Sequence, residues 1–295
     1  MSMDSSGMIR AKSPRISELR RLIKVMCNRV VVVVGIGIIA FFILVAIFAP
    51  MLAAHDPLYT YLESILNPPS GIHPLGTDQV GRDVLSRLIY GTRISFLVGI
   101  FGVTIAGTLG MGLGLVAGYF GGWVNAIIMR CIDALLAIPP IVLMMAISAI
   151  LGGGLFNVLI AIGFGMMPTY CRLMCAQVTV LKENDYILVL QTAGASSWRI
   201  MRHLFINAFP PLLVLITTNL GTAILMEAGL SFLGIGILPP TPSWGAMIYD
   251  GRRLLFSNPI LSLAPGGAIM LIVLAFNIVG DGLRDALDPK LRGTL

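Results

Sequence analysis

The sequence predicts an all-α, polytopic membrane protein with six transmembrane helices. Three observations predict it. The 295-residue chain is 57% hydrophobic but only 12% charged, with a mean hydropathy of +0.91, whereas soluble domains are about a quarter charged. Uncharged runs recur along it: 30–55, 94–129, 134–171, 204–226, 228–249 and 254–280. A span needs about 20 apolar residues. The run 134–171 holds two spans hinged at Gly152-Gly153-Gly154. The run 204–249 yields one span and a Pro-rich external loop. The spans therefore fall near 30–52, 94–117, 132–151, 155–176, 208–232 and 259–280.

The third observation is where the basic residues lie. With the N-terminus inside, Arg10, Lys12, Arg15, Arg20, Arg21, Lys24, Arg29, Arg130, Arg172, Lys182, Arg199, Arg202, Arg284, Lys290 and Arg292 are cytoplasmic. Arg82, Arg87, Arg93, Arg252 and Arg253 are external. Fifteen against five is a positive-inside bias, so both termini are expected in the cytoplasm. The net charge of +6 is thereby topological, and no nucleic-acid partner is expected. The chain divides into a cytoplasmic tail, 1–29, whose expected role is anchoring at anionic membrane lipid. Then come a first span with an external segment, 30–93; a core of spans, 94–281; and a cytoplasmic tail, 282–295. The polar start and the long first apolar run do not suit a cleavable signal.

In the external segment, Thr77 or Asp78 is expected to cap an amphipathic helix through Tyr90. Val80, Val84, Leu85, Leu88 and Ile89 form its apolar face, with Arg82, Asp83 and Arg87 away from it. Such a helix lies at the outer interface or on other spans. The alternative for Asp78, Arg82, Asp83 and Arg87 is a lip or gate at a substrate entrance.

The second span carries Gly110-xxx-Gly114-xxx-Gly118, a stripe that lets helices approach closely. Arg130 and Asp133 are spaced for a helix-end ion pair. Pro139-Pro140 is expected to kink the third span or to end one helix and begin another, and Pro168 to do the same to the fourth. The cysteines Cys27, Cys131, Cys171 and Cys175 read as structural thiols. His55, His73 and His203 are scattered and add no ligand cluster, so no metal site is expected.

Between spans four and five lies Lys182–Asn207. Asp185 starts one short helix, and Gly194 ends it in a conformation glycine adopts cheaply. Ser196 or Ser197 caps a second. Ile187, Leu188, Val189 and Leu190 are four apolar residues in a row. They must bury themselves on neighbouring spans or on another protein. Glu227 is the one acid deep in an apolar run. Burying it charged costs at least ~2–3 kcal/mol, so it should face the bundle or water, as a translocation-pathway group or a structural hydrogen-bond partner.

Three blocks resemble the peptide/nickel permease family of ABC importers. They are Leu75-Gly76-Thr77-Asp78 with Gly81-Arg82-Asp83-Val84-Leu85-Ser86-Arg87; Leu230-Ser231-Phe232-Leu233-Gly234 with Pro239-Pro240-x-Pro242-x-Trp244-Gly245; and Asn277-x-x-Gly280-Asp281-x-Leu283-Arg284-Asp285-x-Leu287-Asp288-Pro289. They are most similar to the C-type subunit of dipeptide and oligopeptide importers. Lys182–Asn207 is similar to the family's cytoplasmic coupling loop, with Gly194 on the family glycine. Asp185-Tyr186, Gly194-Ala195-Ser196 and Arg202-His203 match the peptide-importer version. It departs at Leu188, Val189 and Leu190, where Glu-Ala-Ala is usual, and at Ile206, where proline is usual.

The resemblance implies a type I ABC importer permease fold in a bacterial inner membrane. It also implies a sibling permease, two ABC ATPase subunits that bind ATP and Mg, and an extracytoplasmic substrate-binding protein. It makes Asp185, Tyr186, Ile187, Leu188, Val189, Leu190, Gly194, Ala195 and Ser196 the ATPase-coupling residues. The substrate expected is a dipeptide or oligopeptide; nickel chelates and glutathione are the alternatives. No lysine follows a glycine, so the chain has no Walker A loop and no ATP cofactor of its own. No catalytic constellation is present, and no enzyme is expected. The rival class is an ion-coupled secondary transporter, but no internal repeat and no set of midplane charges supports it. A channel would need a filter that the loops lack.

Overall fold

The computed structural model describes Met26 and residues 28–287. Most of the expected N-terminal tail, Cys27, and residues 288–295 with the Asp288-Pro289 motif lie outside the described residues. In chain order the helices are α1 (Val30–Ile47), α2 (Ala49–Leu52), α3 (Val84–Phe120), α4 (Gly122–Leu136), α5 (Pro140–Leu151), α6 (Leu155–Lys182), α7 (Asp185–Thr192), α8 (Ser197–Phe232), α9 (Trp244–Gly251) and α10 (Ile260–Leu287). Among the described residues there is no strand, only one isolated bridge between Thr77 and Asp83.

Five helices, α1, α3, α6, α8 and α10, are long and apolar enough to cross a membrane. The pair α4 and α5, bent by 90°, is apolar enough when taken together, and the count rises to six if the two form one broken span. The single third span expected at 132–151 is therefore two helices meeting at an angle. Pro140 lacks the N–H that would continue α4, and the residue before a proline avoids the helical region. Pro139 accordingly sits at ψ 131°. Pro168 breaks nothing, for α6 runs through it. The break at Gly152–Gly154 separates α5 from α6 as expected, with Gly152 and Gly154 at positive φ.

The amphipathic helix expected to begin at Thr77 or Asp78 starts at Val84 instead. Asp83 caps it by accepting from Ser86 N at 2.7 Å. It then continues without interruption as α3, so the division drawn at residue 93 falls inside one helix.

The core lies where α3, α6 and α8 meet, with Ile162, Tyr170, Met174, Leu204 and Leu212 fully buried. The glycine stripe sets how close α3 and α6 come. A Cβ at Gly110 would sit 2.5 Å from the Met167 carbonyl oxygen, and one at Gly118 would sit 2.8 Å from Val178 Cβ. Any side chain there must force the helices apart. A second core joins α1, α3, α9 and α10 around Phe42, Trp244, Ile272 and Phe276. Trp244 Nε1 donates to Leu88 O at 3.0 Å, which locks α9 against the start of α3. Outward faces of α1 and α10, such as Phe41, Leu44, Leu263 and Met270, are left apolar, as lipid contact requires.

Candidate functional site

Two polar-rich regions stand at opposite ends of the helices. At one end, α7 is held between α6 and α8. Gly194 has φ +75°, and its N–H donates to Gln191 O at 3.0 Å while Ala195 N donates to Leu190 O at 3.0 Å. Those two bonds form a Schellman stop, which closes the last carbonyls of α7. Nothing lies within 4 Å of a Cβ built on Gly194, so the glycine is required by φ and not by space. Ser196 occupies the first cap position of α8, but its side chain makes no capping bond. The second helix expected here as a short one is the first turns of α8 itself.

The four apolar residues of α7 have separate tasks. Ile187 is 0% exposed and belongs to the main core. Leu190 packs partly against that core. Leu188 and Val189 are 60% and 63% exposed, with Tyr186 beside them. Tyr186 Oη accepts from Asn207 Nδ2 at 3.1 Å, which ties α7 to α8. Asp185 opens the helix and bears its first-turn negative charge, where the backbone N–H groups favour it. Trp198, 74% exposed on the first turn of α8, adds a large apolar surface that sequence reasoning passed over. An exposed indole just after a serine cap was the signal. The structure thus gives Ile187 to the chain's own core and leaves Leu188, Val189 and Trp198 uncovered.

The Arg130–Asp133 pair expected nearby does not form. Asp133 instead pairs with Arg172 across from α4 to α6, both half-exposed. Lys182 Nζ donates to Tyr119 O at 2.6 Å, so the C-terminal ends of α3 and α6 are also joined.

At the other end, Asp78, Arg82, Asp83 and Arg87 are drawn together as expected residues of one region, but they are buried rather than interfacial. Asp78 Oδ2 accepts from Arg82 Nε at 2.7 Å and lies 3.7 Å from Arg87 Nε. Its Oδ1 accepts from Val80 N at 3.0 Å and Arg82 N at 2.9 Å. Arg82 Nη2 reaches Asp250 Oδ2 on α9 at 3.5 Å. Burial raises the Asp250 carboxyl, and Arg82 and Arg87 oppose that rise. Arg87, 2% exposed, donates from Nη1 to Pro57 O at 3.0 Å and Pro240 O at 3.4 Å. Two guanidinium groups therefore knit the 55–83 segment, the start of α3 and the Pro-rich loop into one block. Val80, expected on an apolar face, is exposed.

His55 and His73, expected to be scattered, are neighbours. Their rings lie 4.7 Å apart, and His73 Nδ1 donates to Asp83 Oδ1 at 2.8 Å.

Glu227 is 0% exposed near the Phe232 end of α8. Ser231 Oγ donates to its Oε1 at 2.7 Å, and Ile237 N donates to Ser231 Oγ at 3.0 Å. Gly234, at φ +81°, repeats the Schellman stop, with Gly234 N donating to Ser231 O at 3.0 Å and Ile235 N to Leu230 O at 3.1 Å. Gly245 lets α9 approach there, since a Cβ on it would lie 2.6 Å from Ala228 Cα.

Residues 110–293 match the family described as binding-protein-dependent transport system inner membrane component. Residues 18–69 match the N-terminal TM domain of oligopeptide transport permease C. The chain is 44% identical over 278 residues, 94% of its length and 91% of the relative's, to a dipeptide transport system permease protein of Alkalihalophilus pseudofirmus. It is 44% identical over 257 residues, 87% and 86% of the two chains, to a probable D,D-dipeptide transport system permease protein of Escherichia coli. It is 43% identical over 252 residues, 85% and 84% of the two chains, to a glutathione transport system permease protein of Pectobacterium atrosepticum.

Proposed function

The chain belongs to the family of binding-protein-dependent transport system inner membrane components, and on that premise we propose that it is one permease subunit of an ATP-driven importer of short peptides. Relatives at nearly equal identity bear dipeptide and glutathione names, and all of these cargoes are short peptides. That favours peptides over nickel chelates. In this reading a sibling permease completes the pathway, two ATPase subunits bind ATP and Mg, and an extracytoplasmic protein delivers cargo. The N-terminus, α7 and the C-terminus face the cytoplasm, in keeping with the charge bias.

One observation carries the coupling mechanism: the uncovered Leu188–Val189 face of α7, on a helix fixed at both ends. Ile187 roots it in the core and the Gly194 stop fixes its exit. A partner that grips Leu188 and Val189 therefore moves α6 and α8 together, because α7 has no slack to absorb the displacement. Short apolar side chains here do the gripping that Glu-Ala-Ala does elsewhere in the family, with Asp185, Ala195 and Ser196 at the rim. The external ion block is placed to brace the outer mouth while this happens. Glu227 serves as the buried anchor of the 233–243 loop through Ser231, not as a cargo ligand.

The test is uptake of a labelled dipeptide into proteoliposomes holding the assembled importer with ATP inside and the binding protein outside. Uptake should survive a protonophore and stop without ATP. Uptake that collapses with the protonophore while ATP is maintained would instead assign an ion-coupled carrier.

A further inference from the structure

The external block contains a carboxylate whose charge has no arginine to balance it. Three buried or half-buried carboxylates, Asp78, Asp83 and Asp250, meet two guanidinium groups, Arg82 and Arg87. Both guanidinium groups are directed to Asp78, and Arg82 also reaches Asp250. Asp83 is 1% exposed, and among the described residues no lysine or arginine lies within ion-pair distance of it. Its polar partners are Ser86 N, bonded to Oδ2, and His73 Nδ1, bonded to Oδ1. Buried charges are paired or bind metal ions, because an isolated one is expensive.

His55 stands beside this carboxylate. Its Nε2 lies 3.0 Å from Ile72 O, a carbonyl that can only accept, so Nε2 bears a proton and Nδ1 of the neutral ring keeps a lone pair. One nitrogen from each imidazole and one Asp83 oxygen all lie within 4.8 Å of one another. Tetrahedral zinc with nitrogen ligands near 2.0–2.1 Å holds its donor atoms roughly 3.3–3.4 Å apart. Side-chain rotations of about an ångström close the difference once the His73–Asp83 hydrogen bond gives way and the His73 proton sits on the ring nitrogen that does not bind the metal. Tyr61 flanks both rings, with centroids 6.0 Å from His55 and 5.9 Å from His73, and restricts where they can turn.

Access is present on one side only. His73 and Asp83 are buried, but His55 is half-buried and lines an open groove of about 540 Å³ with Asp56, Tyr90 and Pro242. Water in that groove can fill a fourth coordination position.

We propose that His55, His73 and Asp83 bind a divalent transition-metal cation such as zinc on the external face of the chain. Two imidazoles and one carboxylate suit borderline metals and not calcium or magnesium, which prefer all-oxygen shells. The ion supplies the positive charge that Asp83 lacks. It also ties three separated stretches together: the exit from the first span at His55, the loop at His73 and the cap of α3 at Asp83. The site is a brace between these three stretches.

The experiment uses the full-length chain purified in detergent and stripped with EDTA. It is titrated with zinc chloride in equilibrium dialysis, and the bound metal is examined by X-ray absorption. We expect one zinc per chain with nitrogen and oxygen ligands near 2.0–2.1 Å. His55→Ala should weaken binding at least about tenfold, and His203→Ala should leave it unchanged. His73→Ala removes a partner of a buried carboxylate and can fail to fold, so His55→Ala carries the decision. A chain that retains no zinc overturns the proposal. Zinc bound with sulfur ligands near 2.3 Å, or bound equally well by His55→Ala, also overturns it. Failure here leaves the importer reading intact, since that reading is tested separately by ATP-dependent, protonophore-resistant uptake.

Discussion

The two ends of the bundle are built on opposite principles. At the external end, Asp78, Arg82, Arg87 and Asp250 satisfy one another across three chain segments, and Trp244 and Glu227 are sealed beneath them. At the α7 end, Leu188, Val189 and Trp198 stay uncovered, and few polar bonds tie the surface down. Apart from Asp83 and one oxygen of Glu227, the external end completes itself. The other end is complete only when something else covers it. A self-satisfied polar block is rigid, because each removed member strands a buried partner. An uncovered apolar face on a short, rooted helix costs little to leave exposed and gains much when gripped. On the proposed reading, the difference separates the end where force would enter from the end that would resist it.

Four changes test that contrast. The largest effect is expected at Asp78. Asp78→Ala leaves two buried guanidinium groups short of a counter-charge and should cost about 3–5 kcal/mol. The measure is the yield and thermal stability of folded chain in detergent, and a wild-type Tm would show that the external block is not self-supporting. Next is Leu188→Asp. It places a charge where a partner's groove excludes water, so ATPase association should weaken by roughly 1–3 kcal/mol. Membrane yield should be unchanged, because Leu188 touches solvent in the chain alone. Pull-down of the ATPases reads this, and wild-type association would remove α7 as the coupling element.

Gly194→Val comes third. Its Cβ meets nothing, so the cost is the left-handed backbone alone, about 1–2 kcal/mol. It should loosen α7 and uncouple ATP hydrolysis from uptake before it lowers yield. Gly194→Asn, which tolerates that φ, should recover coupling. The smallest effect is expected for Glu227→Gln, which keeps an acceptor for Ser231 Oγ. Transport should stay within about twofold of wild type if the side chain is an anchor, less than 0.5 kcal/mol. Abolished uptake with normal yield would return Glu227 to the pathway. Orientation itself is checked by cysteines at the exposed Ser70 and Ser196. An impermeant reagent added outside should label the first and not the second.

What could be read from the sequence was what depends on near neighbours. Gly110, Gly114 and Gly118 lie on one helix face by spacing alone, and the close approach to α6 follows. Gly194 announced a helix stop, because few other residues end a helix so cheaply. The external block was misread for the converse reason. Asp78 reads as a helix cap with Arg82, Asp83 and Arg87 off the apolar face, and the apolar residues from Val84 onward are truly helical. Nothing local reveals that Pro57 O and Pro240 O converge on Arg87, or that Asp250 closes the cluster from α9. His55 and His73 likewise meet only through a loop whose path the sequence does not specify. On α7, four consecutive apolar residues gave no way to tell which one points inward. Ile187 does, joining the core cluster that holds Val178 of α6 and Ile200 of α8.

The helix α8 has one more consequence. It runs unbroken from Ser197, beside the uncovered α7 face, to Phe232, beside the Glu227–Ser231 anchor. It contains Pro210 and Pro211, which remove two backbone donors near its inner third. The segment beyond Pro211 is about 32 Å long at 1.5 Å per residue. A swing of about 10° at the prolines would carry its far end roughly 5–6 Å. That is wide enough to unseat a side chain at the mouth from a push applied at the opposite face. The helix is then a lever with its fulcrum off centre, and the short arm is the one that another subunit can reach.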